Sequence, residues 1–329
     1  MSGRDVRRLA ARASNMTHEA KRDIVARIAA GAVAMGVTDI FVAAEPYRIA
    51  SMALEHMGLD VGVHVLDLAV SNTATDTEQA VAAFLERGCT TFASLGGDGT
   101  NRAIVRALHG AGRCEDVHLL PVSTGTNNVF PVLVEPTVAG MVAGLQAAGR
   151  LDDAGLAHRC KVLHVRDPRT GRADLGLIDA VLLREDFVGN LLPFDAGKID
   201  KLMLTRAEPD AVGMSPIGGM LKVVAAQDDA ALLVEMGAGS LPPFSAPLSP
   251  GSFQRVQVRS VAQVALDVPV LFSGSGVLAL DGDRELALEG GAEVTARRDG
   301  PWLPDIAAAM RWAVAQGIIA RSHTNPTRS

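Results

Sequence analysis

The run Leu95-Gly96-Gly97-Asp98-Gly99-Thr100-Asn101 sets three glycines and a carboxylate between two patterned stretches. Before it, Cys89-Thr90-Thr91-Phe92-Ala93-Ser94 is β-branched and apolar; after it, Ala103, Ile104, Ala107 and Leu108 recur at helical spacing. The turn therefore falls at the carboxyl end of a strand and the amino end of a helix, where free N–H groups and the helix dipole favour an anion. Glycine lets the backbone approach a phosphate closely, and Thr100 is the expected N-cap. Asp98 is the odd group. A carboxylate beside a polyphosphate is repelled unless it holds magnesium or takes a proton from an attacking hydroxyl, and both roles belong to phosphoryl transfer. A tight turn with glycines at positive φ and a capping Asp accounts equally well for the same letters.

A second glycine-containing turn, Ser123-Thr124-Gly125-Thr126-Asn127-Asn128, follows the strand pattern Leu119–Val122 and so lands on the same sheet edge. Its hydroxyls and amides suit sugar hydroxyls, phosphate or an adenine edge without adding charge. Taken alone, an Asn-Asn turn is structural more often than functional. Asp281-Gly282-Asp283 closes a strand pattern at Val277–Leu280, and its carboxylates reach the cleft if that hairpin faces the first half. Asp-Gly is also the leading type I′ hairpin pair, and that plain role comes first. Gly274-Ser275-Gly276-Val277-Leu278-Ala279 fits a dinucleotide fingerprint by letters, but no helix pattern follows it, so it is discarded. No P-loop, His-Glu-x-x-His or nucleophile elbow is present, and the eight histidines form no ligand-spaced pair.

Composition narrows the partners. The 329 residues are 48% hydrophobic and 21% charged with a net charge of −6, which describes a globular protein with a sizeable core and no basic face for nucleic acid or anionic membrane. Three widely spaced cysteines, Cys89, Cys114 and Cys160, fit reduced, packed thiols and a cytoplasmic location. The Arg-rich start lacks the apolar segment of a secretory signal, and no apolar run is long enough to span a bilayer.

The elements that must carry these turns alternate. Helices are expected near 17–35, 46–57 and Thr75–Arg87, with strands at Thr38–Ala44, Gly62–Leu68, Thr90–Leu95 and Val117–Val122. Strands and helices in this rhythm imply parallel β-α-β units in an open, doubly wound sheet that binds ligands at its strand carboxyl ends. Past residue 155 the pattern becomes mostly β, with hairpin signals at Asp167-Pro168-Arg169-Thr170-Gly171, Asp281-Gly282-Asp283 and Glu289-Gly290-Gly291. Leu241–Gly251 is Pro- and Ser-rich and is expected to be a loop, and Leu303–Ile319 an amphipathic helix. The fold expected is α/β: an α/β nucleotide-binding domain over 1–152, a sandwich-like β domain over 153–300, and a terminal helix and tail over 301–329 that packs back on the first domain.

In order and approximate spacing, Gly96-Gly97-Asp98-Gly99-Thr100, Gly125-Thr126-Asn127-Asn128 and Asp281-Gly282 resemble the NAD kinase and diacylglycerol kinase superfamily. Gly-Gly-Asp-Gly-Thr-Asn-Arg-Ala and Ser-Thr-Gly-Thr-Asn-Asn-Val-Phe-Pro look most like its AcoX branch of ATP-NAD kinase-like proteins, named for an association with acetoin catabolism. The resemblance implies transfer of the γ-phosphate of ATP, with Mg2+, to the 2′-hydroxyl of the adenosine ribose of NAD or to a related metabolite. It makes Asp98 the base or metal organiser and Asp281 a second acidic candidate. Gly96, Gly97, Gly99, Thr100 and Asn101 would hold phosphate, and Thr124, Gly125, Thr126, Asn127 and Asn128 would line the nucleotide pocket. Expected partners are a small NAD-like nucleotide and further copies of the chain in a homo-oligomer, with neither nucleic acid nor membrane. Two departures stand out. Asn101 is followed by Arg102 where lipid kinases of the group have Glu, and Met1-Ser2-Gly3 looks cut inside the group's opening Asn-Pro-x-Ser-Gly turn, which predicts an absent first strand and with it either a misassigned start codon or an exposed, weakened sheet edge. A lipid kinase and a non-catalytic nucleotide-binding accessory protein are the rival readings.

Overall fold

The computed structural model describes residues 16–55, 57–124, 128–152 and 154–319. Met1, Ser2 and Gly3, on which the expected loss of a strand rests, lie outside them. In the first part of the chain α1 (His18–Ala34), β1 (Asp39–Ala43), α2 (Ile49–Glu55), β2 (Gly62–Leu66), α3 (Ala74–Glu86), β3 (Thr91–Gly96), α4 (Asp98–Gly110), β4 (His118–Ser123) and α5 (Pro136–Ala147) alternate as expected. Threonines open two of these helices: Thr17 Oγ1 accepts the Ala20 N–H at 3.1 Å, and Thr73 Oγ1 that of Thr75 at 3.3 Å.

The remainder runs β5 (Ala157–Arg159), β6 (Val162–Arg166), β7 (Ala173–Gly176), β8 (Asp179–Leu183), β9 (Ile199–Leu204), a short α6 (Ser215–Gly219), β10 (Ala230–Met236), β11 (Phe244–Ser249), β12 (Ser252–Val256), β13 (Val258–Ala265), β14 (Pro269–Ser273), β15 (Gly276–Leu280), β16 (Asp283–Leu288), β17 (Gly291–Arg297), β18 (Trp302–Pro304) and α7 (Ile306–Ala315).

The parallel sheet comes in two pieces. β1 pairs with β2, while β3 pairs with β4 from Thr91↔His118 to Gly96↔Ser123. β18 then adds parallel to β4, and β5 adds antiparallel to β18, so two strands from later in the chain complete the second piece. Alternation along β3 and β4 sends side chains to opposite faces. Phe92 and Leu119 pack with Ile104, Val105 and Leu108 of α4, whereas Leu95 and Val122 pack with Ile24 and Ile28 of α1 and Ala139 of α5. Helices therefore cover both faces, which is the doubly wound arrangement. The Phe92 face continues into Val162, Leu177 and Ile178, so one core joins the α/β layer to the β-rich half.

That half is a sandwich. A six-stranded antiparallel sheet, β13-β10-β9-β8-β15-β16, faces the four-stranded β14-β17-β6-β7 across Leu163, Leu182, Met203, Phe272, Leu278 and Val294. All of β8 is buried because its other face, Val181 and Leu183, packs under β11, β12 and α6.

Three expectations change. Leu241–Gly251 is not loop throughout, since Phe244–Ser249 forms β11: Ala246 and Leu248 alternate inward at 0% and 3% exposure, so burial organises it into a ribbon with β12 despite Pro247, which a two-stranded ribbon tolerates. Leu303 and Pro304 belong to β18, and α7 starts only after Asp305, whose carboxylate accepts the Ala308 N–H at 2.9 Å. Glu289-Gly290-Gly291 is not a hairpin turn, since β16 pairs with β15 and β17 with β14 and β6; the chain changes sheets there, with Gly291 at φ 122°. α7 packs Ala309 and Ala313 against Val142 and Leu145 of α5.

α1 and α5 cross in backbone contact. A Cβ at Gly140 would stand 2.1 Å from the Ile28 carbonyl oxygen, and one at Gly31 2.2 Å from that of Thr137. Gly140→Ala should therefore lower stability by about 1–3 kcal/mol, even after the roughly 1 kcal/mol that alanine gains in helix propensity. Urea unfolding measures it; an unchanged or raised midpoint would contradict the crossing.

Candidate active site

The first turn is built by close approach. Gly97 is the N-cap of α4, and Thr100 lies within the first helical turn, so the expected threonine cap is corrected. Gly96, Gly97 and Gly99 also avoid the left-handed region that the plain-turn explanation called for. What excludes a side chain is packing: a Cβ on Gly96 would meet Thr100 Oγ1 at 2.5 Å, and one on Gly97 would meet Asn128 Oδ1 at 2.4 Å. The first turn thus lies directly against the end of the second.

Asp98 fastens the two together. Its carboxylate accepts the Phe130 N–H at 2.8 Å and that of Val129 at 3.1 Å. Arg206 supports the same segment from outside, donating to the Val129 carbonyl at 3.2 Å with its guanidinium 5.3 Å from the Phe130 ring centre. Burial, reinforced by the negative charge of Asp281, pushes the Asp98 carboxyl up to about 7, against the pull of the two amides and Arg206.

Asp281 approaches from the β-rich half. Leu280 and Asp283 pair across the two-residue turn, and Asp281 and Gly282 take φ 49° and 90°, the left-handed pair a type I′ turn requires. The plain hairpin role is thus fulfilled, and the same strained geometry aims the side chain. Its carboxylate accepts N–H groups from Leu177 and Ile178, both at 2.7 Å, and from Asp179 at 3.2 Å. Burial raises the Asp281 carboxyl overall, although Arg102 and the three amides pull the other way.

Arg102, conspicuous in the sequence as a departure, is 3% exposed and binds in four directions. Nε donates to the Leu175 carbonyl at 2.6 Å, Nη1 to that of Leu280 at 3.3 Å, and Nη2 to Asp174 and Glu285 at 2.8 and 2.9 Å. It thereby pins α4 to β7 and to both strands of the Asp281 hairpin. Asp283 Oδ2 stands 3.8 Å from Nη1 and 3.6 Å from where a Gly99 Cβ would be, so the hairpin rests on the first turn.

The other expected residues divide. Asn101 is fully buried, accepting from Ser94 Oγ at 2.6 Å and donating to the Gly97 carbonyl at 2.9 Å, so its side chain holds the turn from behind. Thr124 is buried, and Asn128 donates to Ser123 Oγ at 3.3 Å. Gly125, Thr126 and Asn127 lie outside the described residues. Arg206 beside Asp98 carries no signal in the sequence, whereas Asp283, one of the hairpin carboxylates expected to reach the cleft, stands against Gly99.

Residues 161–299 match the family model described as Acetoin catabolism protein X C-terminal domain. Acetoin catabolism protein X of Cupriavidus necator is 33% identical over 328 residues, spanning 95% of this chain and 90% of that protein. The chain belongs to the acetoin catabolism protein X family. Among solved structures, yeast NADH kinase complexed with NADH is similar at TM-score 0.46 and 13% identity, over 94% of this chain and 86% of that one. An NAD kinase from Archaeoglobus fulgidus in complex with ATP is similar at TM-score 0.37 and 15% identity, over 87% and 99%.

Two outcomes follow for this member of the family. Removing Arg102 takes the compensating charge from the buried Asp281 and the largely buried Asp174, so Arg102→Met should cost about 3–5 kcal/mol in denaturant unfolding; a loss under about 1 kcal/mol would contradict its clamping role. Asp98 titrates at 3.8 when unfolded and near 7 when folded, so its contribution to stability is complete below pH 4 and disappears as pH rises through 7. Thermal melts of wild type and Asp98→Asn across pH 4–8 should show the wild type losing stability relative to the variant over that window. Parallel profiles would refute the raised value.

Proposed function

We propose that this chain is an ATP-dependent kinase of NAD or an NAD-like metabolite, with Asp98 as its base. The observation that carries the proposal is the meeting of two carboxylates from different halves of the chain at one helix N-terminus, with the Asp98 carboxyl raised to about 7. A base of that strength matches proton removal from a hydroxyl near neutral pH. In the reaction, the acceptor hydroxyl oxygen attacks the γ-phosphorus of ATP, the bond to the β–γ bridging oxygen breaks, and Asp98 takes the hydroxyl proton.

The bare backbone of Gly97 and Gly99 and the amino end of α4 supply phosphate contacts without bulk or added charge. The family resemblance brings in magnesium, which travels with the phosphates of ATP. Asp283 faces Gly99 with its side chain 41% exposed, and it would be the carboxylate on the first turn to hold such an ion. Arg206, beside Phe130, is placed to meet negative charge that develops next to Asp98.

One observation favours a second reading. Both Asp98 oxygens already accept backbone N–H groups, so Asp98 also serves as the anchor that a nucleotide-binding accessory protein would keep after losing the chemistry. Incubation with NAD, ATP and magnesium, followed by mass spectrometry, separates the two. The kinase reading expects NADP, with Asp98→Asn about 10²- to 10⁴-fold slower and nucleotide affinity by calorimetry retained. A wild type that binds NAD without forming NADP belongs to the accessory reading, and phosphorylation of diacylglycerol in liposomes in place of NAD would overturn both.

A further inference from the structure

At the opposite end of α4 from Asp98, three side chains of metal-ligating type converge from distant parts of the chain. His109 lies in the last turn of α4, His164 on β6 and Asp299 just beyond β17, and each offers one ligand atom within 4.8 Å of the others. His164 Nε2 is 2.9 Å from Asp299 Oδ2, His109 Nε2 is 3.4 Å from the same oxygen, and the two rings meet edge to face at 5.0 Å. His109 Nε2 is buried and, without a well-formed hydrogen bond among the described residues, faces the same Asp299 oxygen that His164 contacts, so both imidazole nitrogens are turned into the cluster.

We propose that His109, His164 and Asp299 bind one zinc ion or a similar divalent transition metal. Two imidazoles and one carboxylate are the donor set of borderline cations, while magnesium and calcium prefer all-oxygen surroundings. Bonds of about 2.0–2.1 Å from a tetrahedral centre place ligand atoms roughly 3.3 Å apart, close to the two separations already present. The carboxylate supplies one negative charge, and the carboxyl end of α4 adds the negative pole of its dipole. Side chains that are 29%, 23% and 31% exposed leave an open side for a water molecule as fourth ligand. Bound metal would clamp the far end of the helix that begins at Asp98 against the β-rich half. None of this depends on the kinase reading.

The test uses the full-length protein, stripped with chelator and titrated with zinc by calorimetry and with cobalt(II) by visible absorption. One zinc per chain and cobalt ligand-field bands are expected, both persisting in excess magnesium. His164→Ala and Asp299→Asn should each weaken zinc binding at least about tenfold, while His18→Ala, at the start of α1, leaves it unchanged. Should a variant fail to fold, zinc protection of His109 and His164 from diethylpyrocarbonate in the wild type, read by mass spectrometry, gives the same answer. No stoichiometric zinc, equal binding in the variants, or no protection would leave a hydrogen-bonded cluster only and overturn the proposal.

Discussion

The burial of the Arg102 guanidinium is the constraint on which the site depends. A cation taken out of water must be met in every direction, and here two carbonyls and two carboxylates from β7, β15 and β16 do so. Satisfying it forces the Asp281 hairpin down onto the first turn of α4, because the Leu280 carbonyl that receives Nη1 directly precedes Asp281. The two halves of the chain meet at this point for an electrostatic reason, and the shared core of Phe92, Leu108, Phe130, Leu177 and Ile178 supplies the apolar contact beneath it.

Once the hairpin is seated, the two acids cannot behave as ordinary surface carboxylates. Each is tied to backbone N–H groups, Asp98 to the segment after the second turn and Asp281 to the start of β8, and each feels the loss of water around it. Hydrogen bonds and the nearby arginines favour the charged forms, yet desolvation and mutual repulsion prevail for Asp98. The same balance that holds the Asp98 carboxyl near 7 weakens the fold at neutral pH.

The β3–turn–α4 unit is legible because its signals are local: a β-branched run, glycines, then helical spacing. The Asp281 turn was equally legible as a hairpin, since Asp-Gly reports its own backbone geometry. Arg102 stands out in the sequence only as an unexpected letter, because Asp174 and Glu285, which give it meaning, lie 72 and 183 residues away. The β11 ribbon was hidden for a different reason, as prolines and serines read as loop until burial of Ala246 and Leu248 overrides propensity. His109, His164 and Asp299 share no sequence spacing at all, and only the docking of α4 onto β6 assembles them.

Docking of the Arg102-held hairpin moves Asp98 into the neutral range by burying it and setting Asp281 beside it. This is tested most directly by following the Asp98 side-chain carboxyl carbon by NMR through a pH titration, assigned by its loss in Asp98→Asn. A midpoint near 7 is expected in the folded protein. A midpoint near the ordinary 3.8, with the fold intact, would contradict it.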